Sequence, residues 1–267
     1  RWNCDWSSDV CSSDLLGLAY DDEFCIEMEE QLRKRGITIR GNAKVAEIRN
    51  GPTKTVVLAD GSEIPADVVV LGIGAAANVD LAKAAGLRLG PTGGIAVDRA
   101  MITSDERILA CGDCADKVSF FGGRPSPLKL ASIATLEARI AAANLYGLKQ
   151  ESPGTIGAWM TAVGDLAMGT AGLTESMAAR RGYRTIISSF EGMNRHPGGM
   201  PGAASLKIKL VFEAQSGVLL GGQVRGDTSC GDTVNLISAC IQKRMTAEAF
   251  RNGYPFRDNE RLGEPAP

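Results

Sequence analysis

The stretch Ile108-Leu109-Ala110-Cys111-Gly112-Asp113-Cys114-Ala115 restricts what this chain can fold into more than any other. Arg107–Cys111 is a short apolar run of the kind buried in a sheet, and it stops at Gly-Asp followed by a small residue. In α/β proteins the carboxyl end of a strand is where ligands bind. Gly112 lets the backbone come close to such a ligand, and Asp113 can accept hydrogen bonds from sugar-like hydroxyls. Leu128–Tyr146 then reads as a long Ala-rich helix ending at Gly147, with Leu130, Ala131 and Ser132 at its start. The N–H groups and dipole there suit an electron-rich, partly anionic group. A second apolar run, Val68–Leu71, reads as a strand buried on both faces and is followed at once by Gly72-Ile73-Gly74. The 32 glycines and an aromatic content of 5% fit a tightly turned α/β chain of the nucleotide-binding kind.

Around these runs the pattern predicts alternating elements. Phe24, Met28 and Leu32 fall on one face of Asp22–Arg35, an amphipathic helix that Asp21 or Asp22 can cap and Gly36 ends. Ile37–Arg40, Lys44–Arg49 and Thr55–Ala59 read as short strands, with Asp60-Gly61 as a hairpin turn. A short helix about Asp80–Ala85, a turn at Gly90–Gly94 and a strand Ile95–Val97 follow. Glu151–Gly154 is a polar Pro/Gly linker and the expected domain boundary. Beyond it come long strands, Ala158–Gly169, Tyr183–Phe190, Ser205–Glu213 and Val218–Arg225, the last two joined as a hairpin through Ala214–Gly217. Helices at Thr174–Arg181 and about Gly231–Arg244 complete an α+β layer, and Met193–Gly202 is a Gly/Pro-rich loop.

Composition removes several function classes. Lys and Arg number 29 against 31 Asp and Glu, a net of -2, so no positive field recruits nucleic acid. The apolar runs fall far short of a membrane span. Seven cysteines, at positions 4, 11, 25, 111, 114, 230 and 240, form an irregular set with no secretory segment before them. They predict free thiols in a reducing, cytoplasmic setting. The chain starts without Met and reads as truncated. Asp5–Leu15 repeats Ser-Ser-Asp and resembles the in-frame translation of a sequencing-library adapter. Residues 1–15 are therefore expected to be a non-native tail that packs against nothing, with authentic sequence from Leu16. Arg251–Pro267, rich in Arg and Pro and without periodicity, reads as a divergent tail.

The motifs also have a telling order: Asp67-Val-Val-Val-Leu-Gly-Ile-Gly74, Gly93-Gly-Ile-Ala-Val-Asp98, Thr103-Ser-Asp105, Cys111-Gly-Asp-Cys-Ala115 and the Leu130 helix. Together they resemble the pyridine nucleotide–disulfide oxidoreductase family, in its NADH oxidase and coenzyme A–disulfide reductase branch, from about Leu16 to about Met245. The resemblance implies an α/β fold of partial NAD(P)H- and FAD-binding Rossmann-like domains followed by an α+β dimerisation domain. Residues 16–78 would be the distal half of the NAD(P)H-binding domain, 79–150 the returning segment of the FAD-binding domain, and 151–250 the dimerisation domain. It implies FAD and NAD(P)H as cofactors, a homodimer, and electrons passing from nicotinamide through flavin to a disulfide, oxygen or another small acceptor. Carried over by residue, Asp113 with Gly112 holds the FAD ribityl chain. Leu130, Ala131 and Ser132 face the flavin pyrimidine ring, and Gly74 lies against the nicotinamide nucleotide. The family usually has Pro-Asn where this chain has Ala77-Asn78. Its N-terminal G-x-G-x-x-G units and redox cysteine have no counterpart here. The expectation is thus the C-terminal part of such an enzyme, inactive alone, with no catalytic residue assigned and no metal.

Other readings stay open at this point. Gly72-Ile-Gly74-Ala-Ala-Ala77 fits G-x-G-x-x-G/A, and Asp98 could serve as its ribose acid, giving a small NAD-dependent enzyme. A non-catalytic dimerising scaffold is a further alternative. Cys111-Gly-Asp-Cys114 is a CxxC, which admits a redox role, although Cys111 at the end of an apolar strand is expected to pack in the core. His196, the only histidine, is either a solvated loop residue or a proton-transfer group brought to an active site.

Overall fold

The computed structural model describes residues 15–195 and 197–253, which divide into two compact units, 15–42 with 158–253 and 43–157. The elements are, in order, α1 (Asp22–Lys34), β1 (Val45–Arg49), β2 (Lys54–Leu58), β3 (Glu63–Ala66), α2 (Asp80–Ala84), β4 (Lys117–Val118), β5 (Pro125–Ser126) and α3 (Ala131–Ala143). They continue with β6 (Ala158–Val163), β7 (Leu166–Gly172), α4 (Glu175–Arg180), β8 (Thr185–Met193), β9 (Ser205–Glu213), β10 (Leu219–Gly226), α5 (Cys230–Gln242) and α6 (Ala247–Gly253).

The unit 43–157 opens with the antiparallel meander β1-β2-β3. Asp60 shapes its second turn by accepting from the N–H and hydroxyl of Ser62, while Gly61 takes φ +85°. The next stretch departs from expectation. Val68–Leu71 forms no strand, and Val70 and Ile73 are each 87% exposed. A run buried on both faces needs flanking strands, and none among the described residues pairs with it. Arg107–Cys111 and Ile95–Val97 likewise form isolated bridges rather than strands, Leu109 with Ile102 and Ile95 with Leu89 and Ala115. Val79, Ala82, Ile95, Ala110 and Ala115 make a small core. The helix expected over Leu128–Tyr146 is shorter because Asn144 stops it. Its amide donates to the Ala100 and Gln150 carbonyls, and its side-chain oxygen accepts from the Lys149 and Gln150 N–H groups.

The other unit is built on a five-stranded antiparallel sheet of order β6-β7-β10-β9-β8. The single strand expected over Ala158–Gly169 is two, because the chain folds back at Gly164, φ +62°. Ser205–Glu213 is a strand over the residues expected. α5 packs mainly on β6, β7 and β10. Gly169 makes that approach possible, since a Cβ there would fall 2.3 Å from Val234 Cγ2.

On the opposite face α1 buries Phe24, Cys25 and Met28 with Tyr20 against Met168, and the Tyr20 hydroxyl donates to the Met168 carbonyl at 3.0 Å. α1 therefore packs in one compact unit with the C-terminal sheet, because its apolar stripe finds its cover there. Ile37–Arg40 after it forms no strand. Leu15 and Leu16 pack on the same cluster, so Leu15 belongs to the fold rather than to a tail that touches nothing. The rest of that tail, residues 1–14, lies outside the described residues, as do His196 and residues 254–267; residues 251–253 are helical.

Asp21, expected to cap α1, makes no side-chain bond to it. Its carboxylate accepts from the N–H groups of Glu175 and Ser176 at the start of α4, from the Gln223 amide and from Lys209. Thr174 completes that cap by accepting from the Met177 N–H. Lys209, 8% exposed, also reaches Glu23 at 2.7 Å and Glu175 at 2.8 Å.

Candidate functional site

Gly112–Cys114 form a single 3-10 turn at the end of the Ile108–Cys111 run. The turn begins with Gly112 at φ +78°, a left-handed conformation that a side chain would strain. It lies against the first turn of α3, where a Cβ on Gly112 would stand 3.5 Å from that of Ala134. Asp113 is exposed, and no hydrogen bond or ion pair engages its carboxylate among the described residues. α3 starts without help: Leu130 is its extended N-cap and makes no side-chain cap bond, and no acid stands in its first turn. The N–H groups at that end thus carry the helix's positive end without a side-chain partner. Gly112, Asp113, Leu130, Ala131 and Ser132 are in this way drawn to one place. Gly74, at φ +83°, sits apart in the exposed segment after Leu71, and no hydrogen bond among the described residues joins it to the turn.

Beneath the turn lies a feature the sequence reading passed over. Glu137 and Lys117 are 4% and 5% exposed and pair at 3.1 Å. Glu137 Oε2 accepts the Gly112 N–H at 2.8 Å, and Lys117 Nζ donates to the Gly112 and Ala115 carbonyls. A signal was available: Glu137 falls between Ile133 and Ile140 on the buried side of α3, where an acid needs a partner.

The competing readings lose their supports. Asp98 is engaged by its own turn, accepting from the Ala100 and Ile102 N–H groups, rather than free for a ribose. The helix after Gly72–Ala77 is only the five residues of α2. Cys111 and Cys114 are free thiols, and the Cys114 thiol donates to the Cys111 carbonyl at 3.4 Å. Cys111 is half-buried rather than in the core, and burial, with Cys114 and Glu137 nearby, pushes its pKa up, which leaves it a sluggish nucleophile. Among the described residues no group of three or more His, Cys, Asp or Glu is placed to hold a metal, and no helix is long and apolar enough to cross a membrane.

The fold and this turn define a class, an α/β nucleotide-cofactor chain joined to an antiparallel pairing domain. Comparison with known proteins makes the class specific. Residues 11–138 match the profile of pyridine nucleotide-disulphide oxidoreductases, and residues 160–256 match the dimerisation domain of the same family. The chain belongs to that family. It is similar to an NAD(P)H sulfur oxidoreductase (CoA-dependent) of Pyrococcus furiosus, 33% identical over 80% of this chain and 48% of that protein. An NADH oxidase of Methanocaldococcus jannaschii is 26% identical over 87% of this chain and 51% of its own length. Among solved structures, an NAD-dependent persulfide reductase from A. fulgidus superposes with a TM-score of 0.83 at 31% identity, over 90% of this chain and 45% of that one. The chain spans about half the length of the curated relatives it matches.

Proposed function

We propose that this chain supplies the ribityl- and ring-facing side of a flavin site, together with the subunit-pairing domain, of a FAD-dependent NAD(P)H oxidoreductase. The observation that carries the reading is the meeting of an exposed, unengaged Asp113 carboxylate with the uncapped start of α3 on one glycine-shaped turn. These residues fit the group: the carboxylate suits ribityl hydroxyls, and the α3 N–H groups suit the electron-rich pyrimidine edge of the ring. Bound flavin supplies two-electron transfer between nicotinamide and an acceptor, while the protein positions and tunes it. In this reading residues 16–78 belong to the NAD(P)H-binding part, with Gly74 against the nicotinamide nucleotide, residues 79–150 to the FAD-binding part, and 151–250 pair two subunits. The similar proteins are, by their names, a CoA-dependent sulfur oxidoreductase, a persulfide reductase and an NADH oxidase. These names favour a disulfide-like sulfur compound as the acceptor, with oxygen or another small acceptor as the alternatives.

FAD is long, and its pyrophosphate needs a Gly-rich turn at a helix N-terminus, which the described residues do not offer beside Asp113. Two missing charge-assisted hydrogen bonds at about 1.5–3 kcal/mol each weaken binding roughly a hundredfold or more. The 267-residue chain is therefore expected neither to retain FAD nor to oxidise NADH, whereas a complete protein does both. In the complete protein Asp113→Ala loses flavin and Cys111→Ser keeps both flavin and turnover, read from the visible absorbance and NADH consumption. A yellow isolated chain would overturn the partial-site reading. Loss of electron transfer in Cys111→Ser with flavin retained would transfer the role to the CxxC.

A further inference from the structure

We infer that Lys117 and Glu137 are positioning residues, a buried clamp that fixes the Gly112–Asp113 peptide so that Asp113 is presented to the flavin. The inference rests on the flavin reading above. Removing two charges from water is costly, and exchanging a buried ion pair for apolar groups of similar volume is often neutral or stabilising. Stability alone is thus a weak reason for Lys117 and Glu137, at 5% and 4% exposure, to be charged. Their hydrogen bonds indicate another reason. The Gly112 N–H goes to Glu137 Oε2 at 2.8 Å, the Gly112 carbonyl takes Lys117 Nζ, and the same Nζ reaches the Ala115 carbonyl at 3.3 Å. One ion pair therefore holds both polar atoms of a single residue.

That residue is the one most in need of holding. Glycine has a wide choice of backbone conformations, and Gly112 sits at φ +78°. In a planar trans peptide the carbonyl and the following N–H point in opposite directions. With the Gly112 carbonyl turned inward to Lys117, the Asp113 N–H is turned outward, away from the buried pair. Because Glu137 belongs to α3 and Lys117 to β4, the clamp also sets the turn against the helix whose start faces the same ligand.

Two neutral double replacements test this in the complete protein, neither leaving a buried unpaired charge. Lys117→Met with Glu137→Gln retains an oxygen for the Gly112 N–H and removes only the Lys117 bond to its carbonyl, which still accepts the Ala115 N–H at 3.1 Å. Lys117→Met with Glu137→Leu removes both. FAD affinity, from titration of the apoprotein, is expected to fall by about tenfold or more in the Met/Leu protein and less in the Met/Gln protein. The apo unfolding midpoints are expected to stay near the parent's. Hydrogen exchange at Gly112 in the 267-residue chain gives a readout free of cofactor: slow in the parent and in Met/Gln, fast in Met/Leu. Unchanged exchange in Met/Leu overturns the clamp. So do double variants that bind FAD as tightly as the parent while Asp113→Ala loses it. Retention of FAD by Asp113→Ala is a distinct result that overturns the flavin reading itself, and the inference with it.

Discussion

Asp21 directs its carboxylate to α4 rather than to its own helix, and this sets its response to pH. Burial works against its charged form, but the Ser176 N–H, Lys209 and Gln223 outweigh it and hold the pKa below the usual carboxylate range. A carboxylate lowered on folding contributes stability that is complete above its unfolded pKa, near 3.9, and is lost as pH falls through the folded value. Asp21→Asn should therefore cost about 2–3 kcal/mol near neutrality, where a buried charge network loses one member, and progressively less below about pH 4. Thermal midpoints of parent and variant from pH 7 down to pH 2 check this, and a gap that does not narrow in acid would count against it. The sequence suggested Asp21 as a cap for the helix that follows it, and the side chain turns instead to α4, since residues 175 and 176 come to it only through the tertiary fold. The turn that exposes Asp113 was legible from the Gly-Asp at the end of an apolar run, whereas the burial of Lys117 was not, because nothing near it in sequence shows it.

Between elements, the closeness of α5 to β7 depends on a missing side chain. Gly169→Ala would place a methyl 2.3 Å from Val234 Cγ2, and forcing the helix away costs about 1–3 kcal/mol. The double variant Gly169→Ala with Val234→Ala should be more stable than the sum of the single effects, because the second change vacates the space the first needs. Urea denaturation of the four proteins gives the coupling, and strict additivity would show that α5 shifts without resistance. β6 alternates between half-buried and exposed residues, a pattern visible in the sequence, whereas β7 and β10 are buried almost throughout and are marked mainly by the turn residues that bound them. Gly164 was passed over because a single glycine inside an alternating run also fits a continuous strand. Val68–Leu71 and Arg107–Cys111 were read as sheet strands because apolar runs report what is suited to burial, and the ladders that would bury them are not formed among the described residues.

For the whole molecule, the sheet side that α5 leaves open is the surface on which two chains are expected to pair. Ile186 and Phe190 of β8 lie opposite Phe212 and Ile208 of β9. Leu210 shares that side of β9 and meets, with Ile237 of α5, the space over Gly222, which places the row on the α5 side of the sheet. α5 packs mainly on β6, β7 and β10, so Ile186 and Phe190 remain 56% and 48% exposed. Leu236 on α5 adds a further exposed apolar side chain. Apolar side chains grouped in this way within a region that matches a dimerisation domain suit a two-fold, isologous contact, in which every side chain counts twice. Burying a large apolar side chain contributes about 1.5–3 kcal/mol, so Phe190→Glu removes at least about 3 kcal/mol from the dimer and weakens it by about a hundredfold or more. Light scattering should find the parent chain as a dimer at micromolar concentration and the Phe190→Glu chain as a folded monomer. Circular dichroism separates dissociation from unfolding. A parent that is monomeric at that concentration, or a variant that remains fully dimeric, would remove β8 from the interface.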